Sequence, residues 1–141
     1  GVNFLLDTNV VSEWVRPRPE PRVVAWLADA DEDRVFLSVI TLAEIQRGVD
    51  LLPAGRKRER LAAWAAGDLP ERFEGRLLDV TREVAREWGA VSARAQRAGR
   101  KLGLRDAFFA ATARVHGLTL VTRNEEDFAA TGVDLLNPWR P

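Results

Sequence analysis

The chain is expected to fold as one α/β domain over residues 1–141, with a mostly parallel central sheet flanked by helices on both faces. Three observations predict this. Short apolar runs alternate with segments of helical periodicity along the whole chain. The length of 141 residues fits a single core. No internal repeat, low-complexity tract or linker interrupts the pattern.

The elements follow in order. Residues 3–6 read as a short buried strand that ends at Asp7. A helix then runs to Trp14 and is stopped by Pro17, Pro19 and Pro21. Val23, Trp26, Leu27 and Ala30 recur at helical spacing. Residues 34–38 read as a second strand. Leu42, Ile45, Val49 and Leu52 mark one face of the next helix, which Pro53 ends. Residues 56–66 form a further helix, and residues 77–80 a third strand. Val84, Trp88, Val91, Ala95 and Ala98 line a long amphipathic helix closed by Gly99. An alanine-rich helix over 106–116 opens on Asp106 and stops at Gly117. Strand 118–121 follows, and residues 133–136 make a last edge strand ended by Asn137 and Pro138.

Composition narrows the function. Apolar residues make up 46% of the chain and are evenly spread, which argues against disorder. The apolar runs are too short to span a membrane, and no signal-peptide pattern opens the sequence. The absence of cysteine excludes disulfides and thiolate metal sites and fits a cytoplasmic protein. The formal net charge is zero, so there is no bulk attraction to nucleic acid. The basic residues are arginines apart from Lys57 and Lys101. Arginine makes forked contacts to phosphate, although a high-GC genome enriches it without any functional reason.

Four acids stand at strand-to-helix edges: Asp7, Glu44, Asp106 and Asp127. Each also has a purely structural explanation. Asp7 could cap a helix. Thr41-Leu-Ala-Glu44 matches a capping box, with Thr41 as the cap. Asp106 could complement a helix dipole. Asp127 could cap or solvate its turn, and Asn124 could be an N-cap. None of these accounts explains why the acids recur at one edge of the expected sheet. In parallel sheets the ligand site lies beyond the carboxyl ends of the strands. Clustered carboxylates need a counter-charge, and oxygen-only ligands suit Mg²⁺ or Mn²⁺. Such an ion supports phosphodiester hydrolysis.

Elimination agrees. One histidine, His116, cannot run a two-histidine mechanism, and beside Gly117 it reads as the charged end of a helix. There is no G-x-S-x-G elbow, Walker A loop or G-x-G-x-x-G fingerprint.

Leu5-Leu-Asp-Thr-Asn9, Thr41-Leu-Ala-Glu44, Asp106-Ala-Phe-Phe-Ala-Ala-Thr-Ala113 and Val121-Thr-Arg-Asn-Glu-Glu-Asp-Phe128 together resemble the four signatures of the PIN domain. The ending Thr131-Gly-Val-Asp-Leu-Leu-Asn-Pro-Trp139 is similar to the tail of the FitB-like branch of VapC toxins. The resemblance implies a metal-dependent endoribonuclease held in check by a small antitoxin, and a homodimer. It implies that Asp7, Glu44 and Asp106 bind the metal. At the fourth position it leaves two candidates, Asn124 and Asp127. Phe108 and Phe109 stand where smaller aliphatic residues are more usual in the family. Arg105, beside Asp106, is expected either to contact phosphate or to be solvated.

The expected function is therefore an Mg²⁺- or Mn²⁺-dependent ribonuclease toxin acting on RNA, with a cognate antitoxin as partner and DNA reached only through that antitoxin. The alternative is a catalytically weak module that works by binding its antitoxin. A phosphatase of the haloacid-dehalogenase type would want an acid where Asn9 stands. Trp26 and Trp88 lie on apolar helical faces, so packing is expected of them rather than base stacking. The helices around residues 10–30 and 41–66 are expected to form the dimer or antitoxin surface.

Overall fold

A computed structural model describes all residues, 1–141. Five strands form one sheet in the order β3-β2-β1-β4-β5, and every pairing is parallel. The strands are β1 (Phe4–Leu6), β2 (Val35–Ser38), β3 (Leu77–Leu78), β4 (Thr119–Val121) and β5 (Leu135–Leu136). The register sets Leu5 between Phe36 and Leu120, so β1 is the central strand. Both outer strands hold only two residues, which leaves little unpaired edge exposed. The sheet is thus wholly rather than mostly parallel, and residues 79–80 and 133–134 lie outside its strands.

The helices are α1 (Thr8–Val11), α2 (Pro21–Asp29), α3 (Val39–Leu51), α4 (Arg56–Ala63), α5 (Leu69–Arg72), α6 (Arg82–Arg97), α7 (Leu104–His116) and α8 (Glu125–Phe128). Two buried clusters sandwich the sheet. One packs Leu6, Val23, Leu37 and Phe73 beneath α2 and α5. The other packs Leu5, Val91, Phe109 and Leu120 beneath α6 and α7. Neighbouring residues Leu5 and Leu6 point to opposite faces, as strand alternation requires. Trp26 meets Phe4 edge-on at 5.1 Å, and Trp88 tilts against Phe108 at 5.6 Å, so both tryptophans serve packing.

Three features of the helices also differ from the sequence reading. The helix expected to stop at residue 66 continues through a π turn, Trp64–Asp68, into α5. Pro70 cannot donate a helical hydrogen bond, and the ladder widens just before it. Helix α7 opens at Leu104 with Gly103 as N-cap, so Asp106 sits within its first turn and does not open it. Thr41 is not a cap. Ser38 caps α3, its Oγ accepting from the Ile40 N–H at 3.0 Å, and Thr41 lies buried inside the helix. The capping-box explanation of Glu44 fails with it.

The strand order changes direction between β1 and β4. The chain moves outward from β1 to β2 and β3, then returns across the sheet to β4 and β5. The crevice at the carboxyl ends of β1 and β4 is the ligand-binding position in such sheets.

Candidate active site

Asp7 follows β1 directly and is the N-cap of α1. Its carboxylate is fully buried, so each oxygen needs a partner. Oδ1 accepts from the Thr8 N–H at 2.7 Å, and Oδ2 accepts from Thr122 Oγ1 at 2.7 Å. Thr122 follows β4 and is itself fully buried. The two central strands therefore meet in one carboxylate–hydroxyl bond at the crevice.

Glu44 lies in the second turn of α3. Its Oε1 accepts from Thr8 Oγ1 at 2.5 Å, and Thr8 Oγ1 also lies 3.0 Å from Thr41 Oγ1. Thr8 and Thr41 thus tie α1 to α3 and fix the direction of Glu44. Sequence reasoning missed Thr8, Thr41 and Thr122 as supports. The signal was available: each is a hydroxyl residue within or beside an acid-bearing motif.

Asp106 reaches the same edge because α7 runs back over the sheet before β4. The edge was an inference for this residue from the sequence, and the fold places it there. Burial raises the Asp106 pKa above its ordinary value; Arg105 pulls the other way, and the charges of Asp127 and Asp7 add to the rise.

Arg105 joins these acids, neither free in solvent nor reaching outward. Its Nε donates to Glu44 Oε2 at 2.5 Å, its Nη1 to Asp106 Oδ1 at 2.6 Å, and its Nη2 to Asp7 Oδ1. The guanidinium carbon stands 4.7 Å from the centre of the Phe109 ring. Burial disfavours the arginine charge, but the carboxylates of Glu44 and Asp7 outweigh that and hold its pKa above the ordinary arginine range. The planar fork holds its donors in fixed directions, whereas an ammonium is a compact point charge with rotatable donors.

The fourth position is different. Asn124 is the N-cap of α8 by backbone position, yet its side chain makes no capping bond. Its N–H donates to Thr122 Oγ1 at 3.0 Å, which links the turn to Asp7 through one hydroxyl. Asp127 and Asn124 are both exposed. Asp127 is near enough for its charge to raise the Asp106 pKa, but it is bonded to none of the other three acids.

A divalent ion fits this donor set by chemistry. The donors are all oxygen, and three carboxylates from three elements already surround one cation, the Arg105 guanidinium. Asn9 Oδ1 is buried and lacks a partner, while its Nδ2 lies 3.5 Å from Asp7 Oδ2. In this arrangement no three acidic or histidine side chains are gathered closely enough to hold a metal ion. Beside Glu44 and Thr8 opens a groove of about 280 Å³ whose apolar wall includes Ile45, Val49, Leu61 and Trp64.

This fold and this acid set define a PIN domain, and the PIN domain profile matches residues 4–133. The chain belongs to that family. It is 41% identical over 136 residues to toxin FitB of Neisseria gonorrhoeae, covering 96% of this chain and 98% of FitB. The crystal structure of FitAcB from the same organism superposes with a TM-score of 0.93 at 40% identity, over 98% of this chain and 99% of that one. VapC ribonuclease Y4jK of Sinorhizobium fredii is 35% identical over 98% of this chain and 99% of its own length. DNA-bound VapBC from Salmonella typhimurium matches with a TM-score of 0.79 at 26% identity, over 98% of this chain and 99% of that one. No helix is long and apolar enough to cross a membrane.

Proposed function

We propose that this protein is the ribonuclease toxin of a toxin–antitoxin pair, a metal-dependent endoribonuclease that hydrolyses RNA phosphodiester bonds. The observation that carries this reading is the meeting of Asp7, Glu44 and Asp106 on one cation at the switch point of a PIN sheet. Relatives described as a VapC ribonuclease and a toxin support the substrate class and the role.

Asp7, Glu44 and Asp106 would hold Mg²⁺ or Mn²⁺, with Asp127 and the Asn124 amide oxygen completing the set directly or through water. Such an ion, when bound, supplies an activated water and stabilises charge at phosphorus. The protein's own part is positional. Thr122 and the Thr8 N–H hold Asp7, and Thr8 Oγ1 holds Glu44, so these carboxylates are oriented before any ligand arrives. With no cysteine in the chain and a single histidine, His116, at the far end of α7, these acids are the groups proposed to organise a water.

The partner is a small cognate antitoxin laid across the acidic edge and the adjoining groove, which share Thr8 and Glu44. DNA is reached only through it, as the DNA-bound VapBC relative supports. A homodimer acting in the cytoplasm completes the reading.

The test is cleavage of RNA by the purified protein with added Mn²⁺, alongside Asp106→Ala. Cleavage by the wild type and its loss in the variant are expected. A wild type that cuts no RNA and is harmless when induced without its partner overturns the enzyme reading.

A further inference from the structure

We infer that Arg105 is a built-in cation of the acidic site and competes with divalent metal for Asp7, Glu44 and Asp106. The inference rests on the proposed metal dependence and goes further, because it assigns the metal-free form of this chain a definite state.

The geometry argues for competition rather than support. Each of the three nitrogens of the guanidinium donates to a different carboxylate, from the β1 end, α3 and α7. One oxygen from each acid is thereby engaged by an N–H group. A divalent ion would draw on the same three carboxylates that the guanidinium engages, and in this arrangement no three acids stand close enough to hold one. Metal and guanidinium therefore exclude each other at this spot.

The exchange is physically open. The Arg105 side chain is 34% exposed, whereas Asp7 is fully buried. Arg105 lies in the first turn of α7, next to the exposed Leu104 and Gly103, so it can swing outward without unpacking the core. Phe109 supports the guanidinium from the buried side in the closed arrangement. Charge balance gives the exchange its direction. One guanidinium offsets one of three negative charges, and a divalent ion offsets two.

The experiment measures Mn²⁺ binding by calorimetry and metal-free melting temperature for the wild type, Arg105→Gln and Arg105→Lys. Removing the competitor is expected to tighten Mn²⁺ binding in Arg105→Gln by roughly tenfold, the equivalent of one charge-assisted hydrogen bond. The metal-free melting temperature is expected to fall, and Mn²⁺ to restore it. Arg105→Lys keeps the charge without the fork and is expected to fall between. In the wild type, Mg²⁺ titration is expected to move the Arg105 Nε–H resonance to that of a solvent-exposed arginine. Equal or weaker Mn²⁺ binding by Arg105→Gln overturns the competition while leaving the metal reading intact. An Nε–H resonance that stays bonded at saturating Mg²⁺ does the same. No binding by any of the three proteins overturns the metal reading and the competition together.

Discussion

The two halves of the acidic edge are built differently. On the inner half, Asp7 is fully buried and held by Thr8, Thr122 and Arg105. On the outer half, Asn124 and Asp127 are exposed, and the Asn124 side chain caps nothing. Both halves carry acid motifs of similar appearance in the sequence. The inner acid is part of the fold's own hydrogen bonding, so changing it disturbs folding and chemistry together. The side chains of the outer turn reach solvent and are expected to contribute little to stability.

The largest expected effect comes from Asp7→Ala. It strands the Thr122 hydroxyl and the Thr8 N–H and leaves Arg105 with one carboxylate fewer. Loss of about 1–3 kcal/mol of stability is expected from chemical denaturation. RNA cleavage is expected to fall by more than about a hundredfold, beyond the loss that follows removal of a ligand's supporting partner. Cleavage lost with unchanged stability would mean that Asp7 is not the structural anchor its bonding describes.

Thr8→Val comes next and tests the supports of the inner half. It removes the hydroxyl between Glu44 and Thr41 while keeping the side-chain shape. A stability loss of about 1 kcal/mol is expected. Mn²⁺ affinity measured by calorimetry is expected to drop by roughly tenfold to a hundredfold, because Glu44 loses its orienting bond. Unchanged affinity would show that α3 alone aims Glu44.

The outer half should respond more weakly. Asp127→Asn is expected to change stability by less than about 0.5 kcal/mol. Its effect on Mn²⁺ affinity should be below about tenfold, since an exposed charge acts through water and salt. A loss as large as that of Asp106→Asn would place Asp127 among the direct ligands and erase the distinction between the halves.

Legibility in the sequence follows how local each signal is. Alternating apolar runs and helical spacing marked every strand of the sheet, because strand and helix periods are local properties. The meeting of Asp7, Glu44 and Asp106 was legible because the carboxyl ends of parallel strands share one edge. Arg105 was not. Its role depends on which acids α7 meets across the sheet, a contact 98 residues distant along the chain at Asp7. Thr41 was misread for a related reason: its motif fits a cap locally, but Ser38 sits at the true helix start and takes that role. The helical run expected to end at residue 66 instead passes through a π turn into α5, a local widening that no residue period marks.

Away from the acidic edge, Glu87 offers a control with the smallest expected effect. It joins α6 to α7 through Arg114 at 2.8 Å and pairs within α6 with Arg94 at 3.3 Å. Arg114 in turn donates to the Thr131 carbonyl at 3.2 Å, so the pair also steadies the approach to β5. The Arg114 hydrogen bond, with Arg94 assisting, holds the Glu87 pKa below its ordinary value of 4.5 despite partial burial. A carboxylate depressed on folding adds stability above its unfolded pKa and loses it as pH falls through the folded value. Glu87→Gln should therefore cost about 0.5 kcal/mol near neutral pH, a figure kept small by solvent screening. The difference from wild type should vanish in melts below the depressed pKa, where both side chains are neutral. Because Glu87 faces none of the site acids, Mn²⁺ affinity should be unchanged at every pH. A shift there would tie the α6–α7 contact to Arg105 through α7 and make the two ends of that helix a single unit.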